Sequence, residues 1–169
     1  SDSPTLKIKE SSEMNIENQY VKLNVEKYGG MLCAPWFDRP LSVAGRIIVK
    51  DGNRLTTKLI NVDRDLLMIP NLAIHMNREV NDGYKYNIQK DMLPLYRMSN
   101  SGKAFKEMIA EEAGVSVDQI KGMDLFLYNR MEGTVWGCDG EFISAPRLDD
   151  LQCAFTSTMA LLNSESDRC

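Results

Sequence analysis

Histidine is almost missing from this chain: His75 is the only one in 169 residues. Zinc sites usually draw on imidazole ligands, and serine or cysteine nucleophiles need an imidazole base close by. One histidine therefore argues against a complete metal shell or a nucleophile–base pair made from this chain alone. Cysteine is scarce and scattered. Cys33, Cys138, Cys153 and Cys169 form no C-x₂-C pair, so a thiolate zinc cluster is not expected either. Two disulfides are arithmetically open, but a chain of this size builds a core without them, and the spacing reads as reduced thiols in a cytoplasmic protein. No apolar run approaches the ~18–20 residues that span a bilayer. Ser1-Asp2-Ser3-Pro4 has neither the basic flank nor the apolar stretch of a signal peptide. There is no basic stripe: the net charge is −4 with both signs interspersed. Membrane and nucleic acid are thus not expected as partners.

What is present is an ordinary globular composition, 43% apolar and 26% charged. It suffices for one compact domain, or one domain plus fragments of another. Thr5–Lys9 alternates apolar and polar residues as a half-buried strand does, and Val21, Leu23 and Val25 repeat the pattern up to a stop at Gly29-Gly30. Val43–Val49 predicts a third strand. Asp51-Gly52 predicts a hairpin turn with positive φ at both positions, and a return strand through Leu55 to Val62. Leu72–Met76 fits a short strand or a helical turn equally well. Residues 77–100 read as a long polar loop with Asn81-Asp82-Gly83 as a turn and Pro94 as a breaker.

Helix signals dominate the remainder. Phe105, Met108 and Ile109 share a face, with Ser101 as the expected cap and Gly114 as the stop. Ser116-Val-Asp-Gln119 is a capping-box pattern for a second short helix, and Met123–Tyr128 reads as a buried strand. Leu151, Phe155, Met159 and Leu162 recur at fours and threes, the apolar stripe of a last helix. The fold class expected is a strand-rich α+β chain without internal repeats. Both ends read as cut.

Two features could carry chemistry. Asp149-Asp150 stands just before the last helix. Acidic residues there commonly cap free N–H groups and favour the positive end of the dipole; alternatively, one of the two is a metal-bridging ligand. His75 in its apolar stretch is either a packed structural residue or a functional imidazole. Asp38-Arg39 reads as a surface pair and Trp36-Phe37 as core or subunit interface.

Several blocks then carry a resemblance. Glu141-Phe-Ile-Ser-Ala-Pro-Arg-Leu-Asp-Asp150 resembles the segment bearing the bridging zinc ligand in the aspartyl aminopeptidase family of dinuclear zinc aminopeptidases. Tyr28-Gly-Gly-Met-Leu-Cys-Ala-Pro-Trp-Phe-Asp-Arg39 with Leu41–Arg46, Ile69-Pro-Asn-Leu-Ala-Ile-His75, and Asp124–Tyr128 resemble further blocks of that family, in the same order. The chain departs from the pattern at Met31, Pro40, Gly140 and Asp150, and the last two bear on substrate preference.

The resemblance implies an α/β zinc-peptidase lobe interrupted by an inserted dimerisation domain. On it, residues 1–15 and 135–169 are fragments of the lobe and 16–134 are the insertion, through which the protein forms a homo-oligomer. It implies Asp149 as the bridging ligand of two zinc ions. Asp2 would be the acidic residue supporting a histidine that would precede Ser1. His75 would reach the neighbouring subunit's site, near the substrate carbonyl. The implied activity is removal of N-terminal, often acidic, residues from peptides. The catalytic base and remaining ligands would follow residue 169, so the chain alone is expected to be inactive. The alternative is a non-catalytic dimerisation or assembly module.

Overall fold

In the computed structural model, which describes residues 4–165, Leu6 and Ile8 are buried while Lys7 and Lys9 are only half-buried. That two-residue period opens strand β1 (Thr5–Ile16). The same period places Val21, Leu23 and Val25 inward on β2 (Tyr20–Tyr28). Between them Glu17 and Asn18 take φ of 51° and 56°, and Gln19 N–H donates to Ile16 O at 2.9 Å, closing a primed hairpin turn. β1 carries a bulge: Ile8 faces Val25 but Glu13 faces Leu23, five steps against two.

β3 (Leu41–Asp51) and β4 (Arg54–Asn61) form the expected second hairpin. Its central residues are Gly52 and Asn53, and only Gly52 has positive φ (56°), so the turn carries its glycine at the first central position instead of two left-handed residues. β6 (Ile120–Asn129) lies along β3, and at Gly45 the neighbouring backbone leaves no room for a side chain: a Cβ there would stand 2.1 Å from Asp124 O.

Residues 77–100 are not one loop. A 3-10 turn at Val80–Asp82 and a short α1 (Ile88–Asp91) lead to β5 (Leu95–Met98), which pairs with β2 at the sheet edge. Met92 and Leu93 are buried in the core. Pro94 is tolerated because it precedes an edge strand, and its carbonyl accepts Leu23 N–H at 2.9 Å. The result is a six-stranded antiparallel sheet in the order β4-β3-β6-β1-β2-β5.

Helix α2 (Phe105–Ala113) contributes Phe105, Met108, Ile109 and Ala110 to the core that also takes Leu6, Leu23, Ile47, Leu125 and Leu127 from the strands. Its N-cap is Ala104, not Ser101. The free N–H groups go to carboxylates: Glu107 accepts from Ala104 N–H at 3.0 Å and Glu13 accepts from Phe105 N–H at 2.8 Å. Gly114, at φ 63°, ends the helix as expected, and Val115 N–H returns to Ala110 O. The second short helix is a three-residue 3-10 turn (Val117–Gln119), with Ser116 N–H donating to Gln119 Oε1. On the other face of the sheet Asp124 accepts from Lys7 Nζ at 3.0 Å and Arg46 Nε at 3.3 Å.

The contacts divide the chain into two units, Thr5–Arg130 and a smaller one made of residues 131–165 with Pro4. This differs from the expected boundaries at 15/16 and 134/135. Residues 5–15 belong to β1, which pairs on both sides inside the large sheet. In the smaller unit β7 (Thr134–Trp136) pairs antiparallel with β8 (Phe142–Ser144), with the Trp136 and Phe142 rings 4.8 Å apart. Helix α3 (Leu148–Leu162) follows. Its apolar stripe is uncovered among the described residues: Leu151, Phe155, Met159 and Leu162 are all exposed. Among the described residues no helix is long and apolar enough to cross a membrane.

Candidate active site

After Ser144 the chain runs through half-buried Ala145 and Pro146 to Arg147, whose φ of 63° turns the backbone left-handed. Asp149 (φ −84°, ψ 114°) and Asp150 (φ −117°, ψ 16°) follow in non-helical conformations. The peptide joining them is cis. By their φ and ψ the pair is not part of a regular first helical turn, and regular winding of α3 begins after it. The Asp149 carboxylate is exposed, and no hydrogen bond or ion pair joins it to another described residue. Glu141, which opens the same run, accepts from Asp139 N–H at 2.9 Å. Its own backbone N–H and that of Asp139 hold its carboxyl below the usual range.

His75 sits in the unit Thr5–Arg130, on a single turn closed by Met76 N–H to Ala73 O at 2.8 Å and Asn77 N–H to the same oxygen at 3.2 Å. The alternatives of strand and helical turn thus resolve to a turn. The imidazole is exposed, and so are Leu72, Ile74 and Met76 around it, at 58%, 47% and 76%. An apolar stretch so exposed does not suit the packed structural histidine. Asp2 lies outside the described residues.

The segment that sequence reasoning set aside as surface and core touches the His75 loop at both ends. Asp38, at φ 55°, accepts from Asn71 N–H at 2.9 Å through Oδ1 and from Asn71 Nδ2 at 3.2 Å through Oδ2. Phe37 is buried and its ring stacks on Tyr86 at 5.0 Å. Tyr84 meets Tyr86 edge-on at 5.2 Å. The phenol of Tyr84 is raised above its ordinary range, by desolvation first and then by Asp91, to which it donates at 3.2 Å. A single carboxylate more than thirty residues from its partner offers no periodic signal, so only the fold reveals these contacts.

Zinc needs several converging donors. Among the described residues no three His, Cys, Asp or Glu side chains come together as a metal site. Asp149 has the chemistry and exposure of one ligand, but the described donor set does not by itself fit a zinc shell.

Residues 1–169 match the family described as Aminopeptidase I zinc metalloprotease (M18). A probable M18 family aminopeptidase 2 of Clostridium acetobutylicum is 48% identical over 171 residues, covering 97% of this chain and 39% of that protein. The cryo-EM structure of the Ape4 and Nbr1 complex superposes with a TM-score of 0.86 at 30% identity, over 99% of this chain and 36% of its own. The S. cerevisiae mApe1 dodecamer gives 0.73 at 26% identity, over 94% and 36%. The chain therefore spans about two fifths of the length of the relatives it matches and belongs to the Aminopeptidase I zinc metalloprotease (M18) family.

Proposed function

We propose that this chain is a segment of a zinc aminopeptidase that releases N-terminal residues, acidic ones by preference, from peptides. One observation carries the reading: the 48% identity extends across 97% of the chain, taking in both the His75 turn and the Asp149 segment. In this reading Thr5–Arg130 holds the inserted assembly domain and 131–169 belongs to the catalytic lobe, with the first few residues. Asp149 holds metal from a segment whose backbone departs from helix, leaving its carboxylate exposed. Asp2 orients a histidine ligand through its second ring nitrogen, a task carboxylates perform around metal sites. His75 donates an N–H toward the substrate carbonyl of a neighbouring subunit, where a hydrogen bond strengthens as negative charge develops. Two zinc ions, when bound, supply an activated water and polarise the carbonyl. The similarity to a dodecameric relative supports a homo-oligomer. The exposed Leu72, Ile74 and Met76 give the His75 turn an apolar rim suited to a subunit contact. A cytoplasmic setting belongs to the same reading, on the spacing of the cysteines.

Zinc-dependent release of N-terminal aspartate tests it. The full-length protein is expected to show this activity and the 169-residue chain to show none; hydrolysis by the isolated chain, or none by the whole protein, overturns the reading. His75→Ala in the full-length protein should lower kcat about 10²–10³-fold with the oligomer mass unchanged. The same exposed apolar rim favours the second reading, an assembly module. It expects the reverse, a changed mass in sedimentation with catalysis per assembled subunit intact.

A further inference from the structure

We propose that Asp38 is a positioning residue that sets the loop presenting His75; this rests on the catalytic reading of His75 given above. The local architecture begins with the 3-10 turn Ala34–Trp36, after which Phe37 bridges to Ile69 and Asp38 N–H donates to Ile69 O at 2.9 Å. One residue thus registers the chain just before the loop. Its side chain then registers the loop itself. Both carboxylate oxygens go to Asn71, one to the backbone N–H and one to the side-chain amide, four positions ahead of His75. The φ of 55° at Asp38 is a conformation that aspartate tolerates better than most residues.

The far end of the loop is held from the neighbouring position. Phe37 stacks on Tyr86, and Asp91 accepts Asn87 N–H at 2.6 Å beyond it. Between these ends the backbone hydrogen bonds are local: Met76 and Asn77 N–H return to Ala73 O, Asn77 N–H also to Ile74 O, Val80 N–H to Asn77 O and Asp82 N–H to Glu79 O. With Leu72, Ile74 and Met76 all exposed, no buried side chain fixes residues 72–76. Within its own subunit the turn has no packing, so the direction in which it leaves Asn71 is set by the Asp38 clamp, which holds the apolar rim and His75 ready for the neighbouring subunit. A carbonyl donor works only if it is held where charge will develop, so a clamp of this kind acts on the chemical step through His75.

The test uses the full-length protein, with Asp38→Gly, Asp38→Asn, His75→Ala and the double variant Asp38→Gly/His75→Ala. Glycine removes the carboxylate while keeping the left-handed backbone free of strain. Asparagine keeps one acceptor oxygen and also tolerates that backbone. Asp38→Gly should lower kcat roughly tenfold to a hundredfold with KM little changed, and should speed amide exchange in residues 71–77. Asp38→Asn should recover most of the rate. The double variant should be no slower than His75→Ala alone. Full kcat in Asp38→Gly beside a crippled His75→Ala overturns the positioning role and leaves His75 standing. Losses that multiply in the double variant also overturn it, as does faster exchange throughout Thr5–Arg130, which would mark general loosening. Full kcat in His75→Ala overturns the reading beneath it, whatever Asp38→Gly does.

Discussion

The two units of the chain treat the same kind of residue in opposite ways. In Thr5–Arg130 the side chains of Leu6, Leu23, Ile47 and Phe105 have no exposed surface. In the smaller unit Phe155 is 66% exposed and Leu162 72%, although their spacing marks a face as apolar as that of α2. Burying such a side chain contributes about 1.5–3 kcal/mol, so the large sheet has a driving force that α3 lacks among the described residues. An amphipathic stripe says which face of a helix wants cover. It does not say that the same stretch of chain supplies the cover.

Hydrogen exchange on the 169-residue chain offers the sharpest way to break this contrast. Amides of β1, β3 and β6 should be slowed roughly four orders of magnitude or more, as expected for a unit opening only with global unfolding. Those of α3 should be slowed far less, since an isolated helix of this length is marginal in water. Equal protection in both would show that α3 is covered after all. Next in size come two phenylalanine truncations compared by urea unfolding. Phe105→Ala should cost about 3–5 kcal/mol, while Phe155→Ala should stay within about 0.5 kcal/mol.

The smallest effect is electrostatic and belongs to the solvent face of the sheet. Lys7, by its hydrogen bond first, and then Arg46 hold the Asp124 carboxyl below its ordinary range. A depressed folded-state value means stability that is present above the unfolded carboxylate range of about 3.9 and lost as pH falls through the folded value. Asp124→Asn should therefore cost under about 1 kcal/mol near neutrality, given how exposed the pair is. The difference from the parent should vanish in acid. A difference that persists unchanged in acid would show that the carboxylate charge is not its source.

Much of the large sheet was legible because its strands keep a strict period of two: Val21, Leu23 and Val25 could be placed inward by reading alone. The rest was hidden where that period breaks. The bulge between Ile8 and Glu13 concealed the second half of β1, and Pro94 disguised the approach to a genuine edge strand. Local signals also misassigned the α2 cap. Ser101 had the right chemistry, but Glu13, distant in sequence, reaches one of the free N–H groups. For the candidate site, the segment holding Asp149 was readable as a pattern, whereas its non-helical backbone was not. Asp38 and Phe37 gave no signal of their link to the His75 loop, because the contact joins positions more than thirty residues apart.

One feature of the sheet order reaches beyond stability. β1, the first strand of the large unit, and β6, its last, are antiparallel neighbours; Lys7 stands opposite Phe126, and the Thr5 hydroxyl reaches Leu127 O. The chain thus enters and leaves Thr5–Arg130 at one doorway, a single strand spacing of about 5 Å wide. At that doorway Arg130 is pinned by Asp63 and Asp65, with Tyr128 beside it. A module with its two ends side by side can be spliced into a surface turn of another domain without prising that turn apart. It could equally be excised there, leaving a gap that two or three linker residues would close.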